Sequence, residues 1–194
     1  AEPGKAAILT DFDGTLAPIV ADADDAALPA EAHDVLVRLI DRYALVGAIS
    51  GRRAADVRGR IGLDGIAYAG NHGLELLLPG ESEPVPDPSL DGREGDAGTF
   101  MTTVAAARLD DAGLRLEDKG PIQALHWRGA DNEARAEATA REIAVEAGRT
   151  GLEPRWGRKV LELRPMGGGG KDGAVASLLA EDGVDRVVFA GDDR

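Results

Sequence analysis

The chain has 194 residues, 43% of them hydrophobic, which is enough to bury the core of one domain or of a compact domain with an insertion. Its 35 acidic residues outnumber 22 basic ones, and the net charge of −13 without a basic block argues against nucleic-acid and anionic-membrane partners. The lack of cysteine excludes disulfides and thiolate metal sites. Neither a signal peptide nor an apolar run of membrane-spanning length is evident, so we expect a cytoplasmic protein.

The first predicted strand, residues 6–9, leads into a pair of carboxylates, Asp11 and Asp13. Residues two apart on a strand point the same way, and the chain turns at Gly14 immediately afterwards. This pattern allows one aspartate to act as a nucleophile while the other transfers protons. The alternative is that both are ordinary turn aspartates, which are common where a strand ends.

The next segment predicts a βαβ unit, because apolar residues at helical spacing over 32–40 precede an apolar run at 45–49. This second strand ends in Ser50-Gly51-Arg52, ahead of a short helix at 53–61 and a third strand at 66–69. The Ser50 hydroxyl and the Gly51 N–H could bind a phosphate oxygen, as anions do at strand-to-helix turns. The alternative is that Ser50 is a helix N-cap.

Residues 80–98 are rich in Pro, Gly, Glu, Asp and Ser, which predicts a linker or a mobile loop. Beyond it the pattern predicts two helices, at 100–109 and at 133–147 before Gly148, and four strands, at 114–117, 122–127, 152–156 and 160–163. These elements indicate a small α+β layer inserted into the sheet domain. His126 lies between apolar neighbours on one strand, and this pattern alone favours a structural histidine.

A glycine-rich segment, residues 165–173, precedes a helix predicted to end near Glu181. It is not a Walker phosphate loop, because Pro165 stands where the first glycine must be and Asp172 lacks the required hydroxyl. Lys171 falls near the helix N-terminus, where positive partial charge favours anions. We therefore expect a carboxylate or a phosphate beside Lys171.

The last predicted strand ends at Ala190 and is followed by Asp192 and Asp193. In a parallel sheet, Asp192 gathers with Asp11, Ser50 and Lys171 at the carboxyl edge. Oxygen ligands without His or Cys select a hard cation, and Mg²⁺ suits a site of one or two carboxylates plus a phosphate. The sequence therefore predicts a magnesium site at this edge.

When the chain passes through such a strand at the edge of a parallel sheet, a helix after the strand is needed to cover one face of the sheet. We therefore expect further residues beyond Arg194 in the natural chain.

Four motifs occur in order along the chain: Asp-x-Asp-Gly-Thr at 11–15, Ser-Gly-Arg at 50–52, Gly-Lys-Asp-Gly at 170–173 and Gly-Asp-Asp at 191–193. Together they resemble the motifs of the haloacid dehalogenase superfamily of aspartate-nucleophile phosphatases. Within it, the chain resembles the trehalose-6-phosphate phosphatase family in segments 69–76, 117–120, 126–128 and 157–165. It departs from the family at Asp172, where glycine is frequent, and in ending before the usual Thr-Asp-Glu.

The resemblance implies an α/β fold with a Rossmann-like parallel-sheet core of the haloacid dehalogenase type and an inserted small α+β cap domain. Residues 1–80 and 165–194 would form the core, incomplete at its C-terminus, and residues 81–164 the cap.

The resemblance also implies a Mg²⁺-dependent phosphatase that forms an aspartyl phosphate. Asp11 would be the nucleophile and Asp13 the proton donor and acceptor, with Lys171 as the third catalytic residue. Phosphate would be bound by Ser50, Gly51, Arg52 and Lys171. Mg²⁺ would be held by Asp11, by the backbone carbonyl of Asp13 and by Asp192, with Asp193 supporting from outside this shell.

The implied substrate is a small sugar phosphate, trehalose 6-phosphate, hydrolysed by a monomer. The residues expected to bind the sugar are Asn71, His72, Lys119, His126, Lys159 and Glu162. Two alternatives remain open. One is another sugar-phosphate phosphatase or a phosphomutase of the same superfamily, and the other is a non-catalytic regulatory domain of a synthase.

Overall fold

The computed structural model describes residues 2–20, 25–167, 169–180 and 184–192. Residue contacts divide the chain into two compact units, one formed by Ala1–Ser89 with Gly168–Arg194 and the other by Leu90–Gly167. The domain boundaries stay a prediction, because contacts alone do not show that either unit folds by itself. Asp193 and Arg194 lie outside the described residues, and so do the expectations attached to them.

The described residues contain ten strands and six α-helices. The strands are β1 (Ala6–Asp11), β2 (Leu45–Ile49), β3 (Ala67–Gly70), β4 (Glu75–Leu77), β5 (Val85–Pro86), β6 (Arg115–Asp118), β7 (Gln123–His126), β8 (Leu152–Gly157), β9 (Val160–Pro165) and β10 (Arg186–Ala190). The helices are α1 (Ala30–Ile40), α2 (Ala54–Ile61), α3 (Asp96–Thr103), α4 (Ala106–Ala112), α5 (Glu133–Arg149) and α6 (Lys171–Leu179). Among the residues described, no helix combines the length and the apolar character needed to cross a membrane.

The first unit is built on a six-stranded sheet in the order β10-β1-β2-β3-β4-β5. Strands β10, β1, β2 and β3 are parallel, whereas β4 and β5 add an antiparallel edge. Asp11 pairs with Ile49, and Thr10 pairs with Ala190, so the strands end at the same level. The loops that follow β1, β2 and β10 therefore start at one edge of the sheet, which confirms the predicted parallel-sheet α/β core.

Helices cover both faces of this sheet. On one face, Leu36 of α1 and Val57 of α2 belong to a buried cluster with Val46 and Tyr68. On the other face, Leu178 of α6 packs in a cluster that includes Leu9 and Ile49. Burial on both sides explains why β1 and β2 are apolar runs in the sequence. The parallel strand β10 is also largely apolar, but all five of its residues are exposed. Each fully buried Leu or Ile stabilises the fold by about 1.5–3 kcal/mol relative to exposure.

Part of the predicted linker at 80–98 is ordered secondary structure, so this prediction is wrong in part. It contains β5, a 3-10 turn at Pro88–Leu90 and the first turn of α3. Leu90 is buried, and the buried carboxylate of Asp87 accepts hydrogen bonds from the backbone N–H and the hydroxyl of Ser89. An Asx turn and one apolar anchor are enough to order a segment whose composition is typical of a loop.

The second unit has an antiparallel four-stranded sheet in the order β6-β7-β9-β8. Its core contains Leu125, Leu161 and Leu163 of the sheet together with Ile143 of α5 and Met101 of α3. Partly exposed and buried residues alternate along β9, and the buried ones are Leu161, Leu163 and Pro165. The predicted α+β layer is present, with its helices on one face of the sheet and charged side chains on the other.

The predicted single helix at 100–109 is wrong, because α3 and α4 are separate helices. Val104 between them has an extended backbone, with φ −84° and ψ 117°. The hydroxyls of Thr102 and Thr103 donate to the carbonyls of Thr99 and Phe100, each at 2.7 Å. Hydroxyl groups that bind the backbone in this way, followed by a β-branched residue, weaken the last turn of a helix.

Helix α5 continues through Gly148, where the sequence predicted its end. Ala147 is fully buried, and this packing outweighs the low helix propensity of the next residue. The chain instead leaves the helix before Gly151, which has the left-handed φ of +86° typical of a residue just beyond a helix.

Candidate active site

Asp11 is the last residue of β1, and its side chain is almost completely buried at the carboxyl edge of the sheet. The Lys171 Nζ donates a hydrogen bond to the Asp11 Oδ2 at 2.5 Å, across 160 residues of sequence. Lys171 is the first residue of α6. The negative group expected beside this lysine is therefore the carboxylate of Asp11, which offsets the unfavourable position of a cation at a helix N-terminus.

Asp13 lies two residues further on, in the loop that turns at Gly14, where φ is +83°. Arg52 binds the Asp13 carboxylate as a fork, with Nε 3.0 Å from Oδ2 and Nη2 2.9 Å from Oδ1. The Ser50 hydroxyl donates to the same carboxylate at 3.4 Å. The first two motifs of the sequence therefore meet through their side chains.

Further contacts hold the Arg52 guanidinium in place. It bonds to Asp56 in the first turn of α2 at 3.4 Å, and its Cζ lies 5.7 Å from the centre of the Phe12 ring. The hydrogen bond with Asp13 raises the pKa of Arg52, against the opposing effect of burial. The arrangement fixes a permanent positive charge next to the Asp13 carboxylate.

Ser50 is buried and is not the N-cap of α2, because that position belongs to Arg53. Its Oγ accepts a hydrogen bond from the Arg52 N–H at 3.1 Å, and its own N–H donates to the carbonyl of Ala69 at 2.9 Å. The alternative role considered for Ser50 is therefore wrong. Its hydroxyl shapes the loop and also points to the Asp13 carboxylate.

Two close approaches put Asp192 next to the aspartate loop. A Cβ at Gly14 would overlap the Asp192 carboxylate, and a Cβ at Gly191 would lie 2.7 Å from the Asp11 Oδ2. Both positions need glycine for this reason. Asp192 thus lies beside the turn at Gly14, and Gly191, which precedes Asp192, lies beside the Asp11 carboxylate.

These residues suit Mg²⁺ better than a transition metal. Among the described residues there is no group of three or more His, Cys, Asp or Glu side chains that could hold a metal ion. A site here would instead combine the carboxylates of Asp11 and Asp192 with the main-chain carbonyl of Asp13, leaving other positions for water and phosphate. Such a sparse set of oxygen donors fits the coordination habits of Mg²⁺.

Asn71 and His72 form the turn that follows β3, and both have left-handed backbones, with φ of 52° and 58°. The His72 ring lies against Gly51, since a Cβ there would be 2.6 Å from the ring Cε1. This brings His72 to the Ser-Gly-Arg loop. It is half-buried, whereas Asn71 is fully buried.

In the second unit, Lys119 and Glu162 meet on the charged face of the sheet, with the lysine Nζ 3.1 Å from Oε1. Both side chains are largely buried, and Arg164 approaches the other oxygen of Glu162 at 3.7 Å. Two groups of opposite charge at this spacing could bind several hydroxyl groups.

The other two candidates of this unit have different partners. His126 Nε2 lies 2.7 Å from the Glu117 carboxylate, and burial lowers the pKa of His126 against the opposing effect of this carboxylate. Lys159 pairs with Glu133 at the start of α5, at 2.5 Å. The structure therefore brings Lys119 and Glu162 together, whereas His126 and Lys159 each pair with a different carboxylate.

The model of the trehalose-phosphatase family matches residues 9–194. The chain belongs to the trehalose-phosphatase family. Its resemblance to that family, inferred above from motifs, is thereby confirmed. A trehalose-phosphate phosphatase of Mycobacterium avium is 40% identical over 165 residues, which are 82% of this chain and 40% of the relative. The chain thus spans about two fifths of the length of the curated relatives it matches.

Solved structures support the same fold for this trehalose-phosphatase family member. A protein described as related to trehalose-6-phosphate phosphatase has a TM-score of 0.71 and 27% identity, over 97% of this chain and 78% of its own. The C-terminal domain of the Candida albicans trehalose-6-phosphate phosphatase also has a TM-score of 0.71, over 97% and 69%, at 21% identity. The second likeness shows the fold alone.

Three charged residues of this trehalose-phosphatase family member were not among the site residues predicted from the sequence. Glu75 is buried beside the Ser-Gly-Arg loop, Glu117 pairs with His126, and Arg164 approaches Glu162. The available signal was a charge within an apolar strand, as in Leu74-Glu75-Leu76, because such charges need a buried partner.

Proposed function

We propose that this chain is a phosphatase that hydrolyses trehalose 6-phosphate to trehalose and inorganic phosphate. The observation that carries the proposal is the bond between Lys171 and the buried Asp11, which joins a carboxylate nucleophile to a cation able to bind phosphoryl oxygens. Membership of the trehalose-phosphatase family supports the choice of substrate. The names of the relatives agree with it, although they are longer proteins.

The proposed reaction has two steps. An oxygen of Asp11 forms a bond to phosphorus, the bond from phosphorus to the sugar oxygen breaks, and Asp13 gives that oxygen its proton. Asp13 then takes a proton from water, whose oxygen attacks phosphorus and releases inorganic phosphate and the free Asp11 carboxylate. Lys171, the Ser50 hydroxyl and the Gly51 N–H stabilise the phosphoryl oxygens in both steps.

Arg52 has a double role in this proposal. Its guanidinium holds the Asp13 carboxylate by three hydrogen bonds, so Asp13 must change partners before it donates a proton. A phosphoryl group offers the guanidinium the same fork-shaped acceptor as a carboxylate. Substrate binding would thus transfer Arg52 from Asp13 to phosphate.

Mg²⁺ would be held by the carboxylates of Asp11 and Asp192 and by the main-chain carbonyl of Asp13. Bound there, it supplies positive charge that offsets the charge of the phosphoryl group. The neighbouring glycines, Gly14 and Gly191, let the two carboxylates approach without steric overlap.

For the sugar, we propose that the Lys119 and Glu162 pair binds hydroxyl groups, since its two charged ends donate and accept hydrogen bonds at fixed positions. Asn71, His72, His126 and Lys159 remain the other predicted sugar contacts. Location in the cytoplasm and a monomeric state also remain predictions.

The test is a phosphate-release assay of the purified chain with trehalose 6-phosphate, sucrose 6-phosphate, glucose 6-phosphate and an aryl phosphate, with Mg²⁺ and with a chelator. We expect the highest kcat/KM for trehalose 6-phosphate and no release with the chelator. A higher value for another sugar phosphate would change the substrate. Dependence on a sugar bisphosphate with no net phosphate release would indicate a mutase, and no turnover at all would favour a regulatory domain.

A further inference from the structure

The turn that joins β3 to β4, residues 70–75, binds both loops that carry the proposed phosphate ligands. Its Asn71 N–H donates to the carbonyl of Arg52 at 2.7 Å, and its His72 N–H donates to the carbonyl of Ser50 at 2.9 Å. On its other side, the Gly170 N–H donates to the carbonyl of His72 at 2.6 Å. The residue after Gly170 is Lys171. One turn therefore contacts both cationic elements of the site.

The backbone of this turn is strained at the residues that make these bonds. Asn71 and His72 are consecutive non-glycine residues with φ of 52° and 58°. A left-handed conformation at two successive side-chain-bearing residues persists only where the surroundings enforce it. Among the surroundings is Gly73, whose Cβ, if present, would lie 2.8 Å from both the Gly170 carbonyl oxygen and the Ala174 Cβ.

Glu75 ties the same turn to the start of α2. Its side chain is buried, and Oε1 accepts a hydrogen bond from the Ala54 N–H at 2.5 Å. The Asn71 side chain also bonds to Glu75. No side-chain cap comes from Arg53, the N-cap residue of α2. The carboxyl group of Glu75 thus satisfies a helix N-terminus that the local sequence leaves uncapped.

The fit around this bond is close. A Cβ at Gly70 would lie 2.6 Å from the Glu75 Oε1 and 2.8 Å from the Ala54 Cα. Burial raises the pKa of Glu75, while the Ala54 N–H and the nearby charge of Arg53 act in the opposite direction. The Glu75 side chain therefore acts here as a hydrogen-bond acceptor, through its Oε1.

We infer that Glu75 is a positioning residue of the active site. By joining the 70–75 turn to the first turn of α2, it fixes the loop of Ser50 and Arg52 and, through the same turn, the chain that leads into Lys171. This inference rests on the proposed function, because the loops it fixes are those assigned to phosphate. It adds a residue that touches neither the two aspartates nor the phosphate.

Four variants test the inference. Glu75→Ala removes the acceptor oxygen. Glu75→Asp keeps the carboxylate on a side chain that is one methylene shorter, and Glu75→Gln keeps an acceptor oxygen at the same distance. Tyr68→Phe is the matched control, because it removes another buried side-chain bond of the same sheet, from Tyr68 to the carbonyl of Leu63. All are assayed well below their unfolding temperatures, with the folded fraction measured by circular dichroism.

We expect Glu75→Ala and Glu75→Asp to lower kcat/KM for trehalose 6-phosphate by about 10- to 100-fold, the scale of a small misplacement of catalytic groups. Glu75→Gln should stay within about 3-fold of wild type, since it retains the hydrogen bond. Tyr68→Phe should lose stability but not activity. In an Arg52→Ala background, Glu75→Ala should cost less, because the two changes act on the same group.

A second readout does not depend on activity. Amide hydrogen exchange in segments 50–57 and 169–174 should be faster in Glu75→Ala than in wild type and unchanged in Tyr68→Phe. Unchanged exchange in Glu75→Ala, or activity equal to that of Tyr68→Phe, would overturn the inference. If wild type releases no phosphate from any substrate, the proposed function fails, while the exchange result still decides whether Glu75 holds the loops. If Glu75→Ala does not fold, Glu75→Asp decides both readouts.

Discussion

The two units both assemble charged side chains on a sheet, but they do so by different routes. In the first unit the partners meet at the carboxyl edge of the parallel sheet and come from distant parts of the sequence: Lys171 and Asp11 are 160 residues apart, and Arg52 and Asp13 are 39 apart. In the second unit the partners meet on one face of an antiparallel sheet, whether they are nine residues apart, as Glu117 and His126 are, or 43 apart, as Lys119 and Glu162 are. The first arrangement depends on topology and the second on register.

This difference has a physical consequence for function. Strands of a parallel sheet bring their carboxyl ends to one edge, so the groups that follow them converge whatever their separation. On an antiparallel face, a shift of one residue would turn every side chain to the other side. We therefore expect substitutions at the sheet edge to affect the chemical step and those on the antiparallel face to affect recognition and stability.

The largest effect should come from Asp11→Asn, which tests whether the sheet edge carries the chemistry. An amide cannot form the acyl phosphate, so phosphate release should fall below detection for every substrate. The fold should persist, because the amide oxygen can still accept a hydrogen bond from Lys171. Asp34→Asn, at an exposed aspartate of α1, is the matched control and should remain active. Near-normal release by Asp11→Asn would refute the mechanism.

A smaller loss is expected for Asp13→Asn, roughly 10²- to 10⁴-fold in kcat with trehalose 6-phosphate, because proton transfer is removed. An aryl phosphate has a leaving group that needs no proton, so the first step should proceed and the phosphorylated enzyme should accumulate. Intact-mass measurement during turnover detects that species. If formation and hydrolysis of the phosphorylated enzyme slowed equally, and this species did not accumulate, Asp13 would act only by shaping the loop.

On the antiparallel face, Glu162→Ala should cost about 1–3 kcal/mol in transition-state binding for trehalose 6-phosphate, as expected when a hydrogen bond to a charged group is lost. The aryl phosphate should be unaffected, since it has no sugar. Glu137→Ala, which removes an exposed ion pair with Arg141 in the same unit, serves as the control. A comparable loss with both substrates would mean that Glu162 only maintains the structure.

The smallest effect concerns His126 and pH. Burial lowers the pKa of His126 in the folded chain, so below the ordinary value of about 6.5 the unfolded chain binds a proton more readily than the folded one. The free energy of unfolding of wild type should therefore decrease as the pH falls below about 6.5. His126→Gln should lack this part of the pH dependence. Both tryptophans, Trp127 and Trp156, lie in the second unit, 6.1 Å apart, so their fluorescence during urea unfolding reports on it. A stability difference that does not change with pH would contradict this expectation.

The sequence was most informative where the order of strands and helices along the chain determines where a residue lies in the fold. The alternation of apolar runs with helical patterns was enough to predict the parallel core, and helix α6 begins at Lys171 beside the expected negative group. The roles of Asp11, Asp13 and Lys171 remain predictions, since geometry alone does not show catalysis. Local competition was harder to foresee: the break at Val104 depends on hydroxyl bonds to the backbone, and the course of α5 through Gly148 depends on burial of its neighbour.

Partners across space were the least predictable. No periodicity indicates that Glu75 bonds to the Ala54 N–H, because this bond depends on a three-residue strand and a strained turn. The same holds for Lys119 and Glu162, which are 43 residues apart and meet only through the register of β6, β7 and β9. The residue types were visible in the sequence, but the pairs were not.

The position of β1 in the sheet also bears on how the chain reaches its native state. β1 lies between β2 and β10, and β10 starts only at residue 186. During synthesis from the N-terminus, one edge of β1 therefore stays unpaired until the whole second unit has been made. Such an open apolar edge is prone to pairing with other chains, and contacts of long sequence separation form slowly. Folding of the second unit on its own, before β10 arrives, would shorten the effective loop between β1 and β10 and limit the time during which this edge is exposed.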